Sequence, residues 1–249
     1  MTLKYYKYFG SCTAVIVLLI FSSSTPAQSN SVREASKKLD SIDIGNYALI
    51  ASEDFAHNLD NWTAEFEKPE LSQMSIVSGS VLDVSASAGA TVWYRNKLSG
   101  NICISYDVTV IDSSGANDRV SDLNVFWMAS DPATENLFTR NGKFSSYDNL
   151  NLYYAGIGGH DNETTRFRKY FSNGDKPVIT EYLDKAHLLK GNKPYSIKIL
   201  TDNGTILFYV NDVLYFNYKD DKPYTEGYFG FRTTRSHQRF DKFKIFSRK

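Results

Sequence analysis

Ten short stretches between residues 90 and 248 alternate apolar and polar side chains with a period of two, and turn residues separate them. They are "ATVWYRN", "NICISYDVTVI", "SDLNVFWMAS", "NLNLYYAGI", "TTRFRKY", "YSIKILTD", "TILFYVND", "VLYFNYK", "GYFGFRTT" and "FDKFKIFS". A β-strand sends successive side chains to opposite faces, so this period predicts strands with one buried face each. The spacers "SSGAND", "DNG" and "KDDKPYTEG" carry the Gly, Asn, Asp and Pro of tight turns. "IKILTDNGTILFYVNDVLYFNYK" predicts a three-stranded antiparallel meander with turns at Asn203-Gly204 and Asn211-Asp212. Only "LDKAHLL", residues 183–189, suggests a helical turn, with Asp184 and His187 capping or packing it. No internal repeat or low-complexity block interrupts the pattern. The expected fold is all-β, a sandwich of two antiparallel sheets.

The chain has 249 residues, enough for one large sandwich domain. Lys plus Arg and Asp plus Glu are balanced at 28 each, so no overall field favours nucleic acid or an anionic membrane. Lys4 and Lys7, an apolar run from about Thr13 to Phe21, and small residues ending in Thr25-Pro26-Ala27 predict a secretory signal peptide over residues 1–27. The run is shorter than the roughly 20 residues a membrane-spanning helix needs. The expectation is a secreted or periplasmic protein with no stable membrane insertion after signal cleavage. Residues 28–46 read as a polar linker or short helix, and residues 47–249 as the sandwich. Past the signal only Cys103 remains, facing opposite Ile102, Ile104 and Tyr106, and it reads as a plain sheet residue.

The alternation also assigns faces. Leu123, Val125 and Trp127 oppose Asp122, Asn124 and Phe126; Leu150, Leu152 and Tyr154 oppose Asn149, Asn151 and Tyr153. Thr164, Arg166, Arg168 and Tyr170 oppose Phe167, and Tyr228, Gly230 and Arg232 oppose Phe229 and Phe231. Several strands thus pair an apolar face with one rich in Asn, Tyr and Arg. An ordinary solvent face favours Lys, Glu, Ser and Thr.

Taken together, "GATVWYRNKLSGNICISYDVTVI", "DRVSDLNVFWMASDP", "LNLYYAGIGGHDNETTRFRKY", "YLDKAHLL" and "GYFGFRTTRSHQRFDKFKIF" resemble a secreted bacterial domain family of unknown function, over roughly residues 48–247. The resemblance implies a concanavalin A-like (legume lectin/glucanase) jelly roll, an association with polysaccharide degradation, and a glycan ligand or substrate. It further implies that Trp93, Arg95, Asp122, Asn124, Asn151, Tyr153, Arg166, Arg168 and Arg232 converge on a concave groove, with His160 and His237 on loops at its rim.

The residue types fit such a groove. Aromatic faces stack on the apolar sides of sugar rings, and guanidinium forks bind carboxylates bidentately. The plainer alternative is that Arg166 and Arg168 are solvated strand residues paired with nearby acids. β-Elimination at a uronic acid needs a neutralised carboxylate, a base for the α-proton and an acid for the leaving oxygen. Tyr153, His160 and His237 suit the proton transfers, and Arg and Asn the developing enolate. "EFEKPE" offers Glu65, Glu67 and Glu70 for hydrolysis, but Pro69 breaks a central strand and the run reads as a solvated acidic face. "GGHDNE" offers His160, Asp161 and Glu163 as ligands in a spacing that matches no standard calcium loop, so no metal and no cofactor is expected. The expected partner is a polysaccharide or oligosaccharide containing acidic sugars, bound by a lyase or glycoside hydrolase, or by a non-catalytic binding module.

Overall fold

The computed structural model describes residues 46–77 and 80–248. The expected signal peptide, and all but the last residue of the 28–46 segment, lie outside them. Fourteen strands follow in chain order: β1 (Tyr47–Glu53), β2 (Trp62–Phe66), β3 (Gln73–Val77), β4 (Val81–Tyr94), β5 (Leu98–Ser99), β6 (Ile102–Val110) and β7 (Leu123–Ser130). Then come β8 (Asn151–Gly158), β9 (Thr164–Tyr170), β10 (Val178–Tyr182), β11 (Pro194–Asp202), β12 (Thr205–Val210), β13 (Val213–Lys219) and β14 (Glu226–Arg248). The strand pairings are antiparallel.

Two long strands make the sandwich. The first part of β14, Tyr228–Arg232, pairs with β7, and the later part, Gln238–Ser247, pairs with β6. β4 runs beside β14 through both parts. Near the middle the register shifts between Thr234 and Ser236, and Arg235 takes a left-handed φ of 46°. A bulge of this kind bends a strand and sharpens its twist, so β4 and β14 turn the corner from one sheet to the other. The front sheet runs β10-β9-β8-β7-β14-β4-β2; the back sheet runs β13-β12-β11-β6-β14, with β1 and β3 at its far side. "GYFGFRTT" and "FDKFKIFS" are therefore one 23-residue strand. The polar residues between them mark a corner, where a loop bearing His237 was expected.

The space between the sheets holds the main core, built from the faces that the alternation marked apolar: Leu123, Val125, Trp127, Phe167, Phe229 and Phe231 from the front, Ile104, Tyr106, Ile197, Ile199 and Phe208 from the back. Trp127 stacks on Phe167, with ring centroids 5.9 Å apart, and Phe231 on Phe240 at 3.9 Å. Each such ring removes a large apolar area from water. The meander closes through Asn203-Gly204 and Asn211-Asp212, whose φ values are all positive, as two-residue hairpins require. Asp184 accepts the backbone N–H of Ala186 at 3.0 Å and caps a short 3-10 turn, Lys185–His187. Cys103 lies partly buried in the back sheet, and burial pushes its thiol pKa up to about 11, which leaves it unreactive.

At one end of the front sheet the core holds a charged pair. Lys169 Nζ sits 2.7 Å from Asp220 Oδ2, and both side chains are about 95% buried. The Tyr153 hydroxyl donates to the same oxygen at 2.5 Å, and Lys169 lies 4.5 Å over the Tyr224 ring. Burial disfavours the Asp220 carboxylate, but the bonds from Lys169 and Tyr153 outweigh it and lower the pKa. Removing one member of a buried pair strands the other. Lys169→Met is expected to lower unfolding free energy by about 3–5 kcal/mol, read as a fall in the urea midpoint.

Candidate functional site

The outer, concave face of the front sheet is not an open groove. A loop over residues 131–150 lies across it and buries a second apolar cluster of Trp93, Phe126, Leu137, Tyr147, Leu150, Leu152 and Tyr170. Glu65 on β2 anchors this loop. Its Oε2 accepts from Trp93 Nε1 at 2.8 Å and from the Tyr147 hydroxyl at 2.9 Å, and its Oε1 accepts from the Arg140 N–H at 2.6 Å. Burial raises the Glu65 pKa in spite of these donors. Glu65 is only 6% exposed, so for this residue the expected solvated acidic face is corrected to a buried structural carboxylate, while Glu67 and Glu70 are exposed. Arg140 ties the loop to itself through Asp131, Leu137 and Ser146.

What the loop leaves uncovered is a pocket of about 270 Å³ lined by Asp122, Asn124, Phe144, Tyr154, Gly156, Gly159, His160, Thr164, Arg166, Arg168 and Thr234. Asn124 projects from β7, Tyr154 and Gly156 from β8, and Arg166 and Arg168 from β9. Cross-strand pairing brings them together, with Asn124 opposite Gly156 and Tyr154 opposite Arg168. Gly156 is needed: a Cβ there would lie 2.1 Å from the Tyr154 hydroxyl and 2.7 Å from Asn124 Oδ1. Asn124 is 3% exposed, and its Oδ1 has no hydrogen-bond partner among the described residues. An unpaired buried acceptor is uncommon and costly.

Charge around the pocket is unequally paired. Arg119 holds Asp122 and Asp161, and Arg166 holds Glu181. Arg168 donates Nη1 to the Lys176 carbonyl at 2.6 Å, and no ion pair to a carboxylate is found for it among the described residues. Arg232 lies beside the pocket and under the loop, 1% exposed, 5.3 Å from the rings of both Phe144 and Tyr147. It donates to the Gly142 carbonyl and the Thr91 hydroxyl, while its Nε has no partner. Burial lowers the Arg232 pKa, as for a cation with too little compensation. Tyr154 sits among these charges. Burial raises its phenol pKa and Asp122 adds to this, while Arg232, Arg168 and Arg166 pull it down.

His160 stands on the turn at the pocket's edge. His160, Asp161 and Asn162 all have positive φ, from 54° to 66°, a conformation that costs residues with a Cβ about 1–2 kcal/mol each. The Asn162 side chain holds the turn by pairing with Leu189 in both directions, accepting its N–H at 2.8 Å and donating to its carbonyl at 3.0 Å. Arg166 Nη1 donates to His160 Nε2 at 3.2 Å. Asp161 is occupied by Arg119, and the described residues contain no cluster of three or more side chains suited to a metal.

The pocket thus brings together Asp122, Asn124, His160, Arg166 and Arg168 from the expected set, with Arg232 next to it under the loop. Five expected residues lie elsewhere. Tyr153 faces the inter-sheet core, 0% exposed, packed 5.6 Å from Trp127 and bonded to Asp220. Its neighbour Tyr154 takes the concave face, so the expected face assignment on β8 is reversed. Asn151 shares Tyr153's side, and its Oδ1 accepts from the Ser172 N–H and the Tyr224 hydroxyl. Trp93 is buried under the loop. Arg95 lies past the end of β4, exposed, donating Nε to the Trp62 carbonyl. His237 is on the corner of β14, away from the pocket lining. The sequence reading missed Tyr154, Gly156 and Phe144; the Arg168 partner position was the available signal for Tyr154.

His237 has a structural task instead. Its Nδ1 bonds Asp118 at 2.8 Å and its Nε2 bonds Asp83 at 2.8 Å, with Arg239 also on Asp83. The bond to Asp83 chiefly raises the His237 pKa, burial opposes it, and Asp118 adds to the rise. A raised histidine pKa contributes stability that is complete below the unfolded value of about 6.5 and is lost as pH rises through the folded value. The difference in urea stability between wild type and His237→Gln is therefore expected to be constant in mild acid and to shrink above neutrality.

The arrangement has known counterparts in fold. A Bacillus subtilis protein of unknown function with a galectin-like fold superposes with a TM-score of 0.66 at 19% identity, over 81% of this chain and 98% of the other. An endo-beta-1,3-glucanase from Pyrococcus furiosus gives 0.58 at 10% identity over 82% and 95%. The winged bean acidic lectin complexed with methyl-alpha-D-galactose gives 0.54 at 10% identity over 81% and 98%. At these identities the likeness is one of fold, and it bears out the concanavalin A-like jelly roll. No curated protein matches the chain by sequence. The family described as "Domain of unknown function (DUF6250)" matches residues 84–243, more than half of the chain, and the protein belongs to it.

Proposed function

We propose that this protein is an extracytoplasmic carbohydrate-binding protein whose pocket recognises an acidic sugar. The observation that carries this reading is the pair of guanidinium groups without a carboxylate partner, Arg168 in the pocket wall and Arg232 under the adjoining loop. A cation in low dielectric calls for an anion, and a sugar carboxylate offers the flat, two-oxygen match to a guanidinium fork. Asn124 adds a polar side chain to the pocket lining. Tyr154 and Phe144 supply aromatic surface for the apolar side of the ring. The same fold holds sugars in the galactose-bound lectin and is used by the glucanase.

A lyase activity is the second reading, and Tyr154 favours it over hydrolysis. Among the lining residues the one carboxylate is Asp122, already bound to Arg119, whereas hydrolysis uses two carboxyl groups roughly 5–9.5 Å apart. In β-elimination a base takes the proton α to the sugar carboxylate, a carbon–carbon double bond forms, and the bond to the leaving oxygen breaks as that oxygen is protonated. On this reading Tyr154 and His160, which line the pocket with Arg168, carry those proton transfers while Arg168 holds the carboxylate. Tyr153 has no such role.

Binding to uronate oligosaccharides is expected to fall about 10- to 100-fold in Arg168→Ala, the loss of one charge-assisted contact worth about 1.5–3 kcal/mol. Calorimetric titration against uronate and neutral oligosaccharides measures this. Equal affinity for both kinds of sugar, unchanged by Arg168→Ala, would contradict the reading. If the protein is a lyase, unsaturated products absorbing in the ultraviolet form with wild type and Tyr153→Phe and vanish in Tyr154→Phe.

A further inference from the structure

We infer that the pocket admits a single sugar residue at the end of a chain and excludes chain interiors. This rests on the reading of the pocket as an acidic-sugar site and adds how the polymer is presented to it. Along the strands the pocket is short: Tyr154 and Gly156 on β8, and Thr164, Arg166 and Arg168 on β9. Neighbours on one face of a strand are about 6.8 Å apart. Beyond Tyr154 and Arg168 the next outward positions, Leu152 and Tyr170, are already buried under the loop, with Phe144 against Tyr170. In the other direction the strained turn bearing His160 borders the pocket.

Across the strands, the direction in which a polymer would cross a curved sheet, the way is also shut. At Gly89 on β4 the loop backbone lies directly on the sheet, so that a Cβ would fall 2.3 Å from the Gly142 carbonyl oxygen. Gly142 has a left-handed φ of 79°, and a Cβ on it would meet the Glu67 N–H nitrogen at 2.5 Å. Two glycines thus let the loop seal the β4 side. On the β9 side, Lys176 joins Asp148 at 2.5 Å and so ties the 171–177 turn to the loop, while Arg166 is bound to Glu181 on β10. The volume of about 270 Å³ falls just under the roughly 300–1,000 Å³ typical of sites for drug-sized ligands. That leaves room for one ring with its carboxylate on Arg168 and the remainder of the chain in solvent.

The test uses the full-length mature protein and homogalacturonan, glucuronan and alginate oligosaccharides of two to twenty residues. Affinity per mole of chain should be the same at every length for the recognised uronate. It should fall at least tenfold when one of the two ends is blocked, either by coupling the reducing end to 2-aminobenzamide or by an unsaturated uronate at the other. Affinity that grows with length and survives both blocks would overturn end recognition and leave the acidic-sugar reading intact. Binding of neutral oligosaccharides alone would overturn both.

Discussion

A buried carboxylate decides what the concave face can hold. Glu65 accepts bonds from Trp93 on the sheet and from Arg140 and Tyr147 on the overlying loop, and so clamps residues 131–150 onto strands that would otherwise floor an open groove. Such a group is tolerated only because its oxygens are occupied. With the loop in place, Phe126, Trp93 and Tyr170 become a second core, and the chemistry is confined to one corner of the sheet. The loop also removes Arg232 from water, which turns an ordinary strand arginine into an undercompensated charge next to the pocket.

The corner strands serve the same end. Because β4 and β14 pass from front sheet to back sheet without a break, the two sheets are joined covalently as well as by packing. The His237 bridge between Asp83 and Asp118 sits at that corner and fastens the loop after β6 to it. The corner and the Lys169–Asp220 pair tie the sheets together, while the unpaired Asn124 oxygen and a strained turn border the pocket. Strain and unpaired polar atoms persist only where the surrounding structure holds them, and here Asn162 and Leu189 do so.

Much of this was legible in the sequence. The period of two gave the strands, and it placed Asn124 on β7 and Arg166 and Arg168 on β9 on the concave face correctly. It failed on β8, where Tyr153 and Tyr154 are adjacent aromatics and both are buried, so apolarity cannot say which faces inward. Leu150, used to set that phase, lies before the strand begins and packs under the loop. The polar run around His237 looked like a turn because a corner exposes polar residues as a turn does. Glu65 carried no local sign of burial, since its donors come from residues 28 to 82 positions away. The loop's position depends on Gly89 meeting Gly142, a contact that no periodicity encodes.

The most direct measurement is a crystal structure of the protein with galacturonate or glucuronate. The account predicts one ring between Tyr154 and Arg168, with its carboxylate on the Arg168 guanidinium. A sugar bound instead at the open surface beside Tyr228 and Lys97, with the Arg168 pocket empty at saturating concentration, would contradict it.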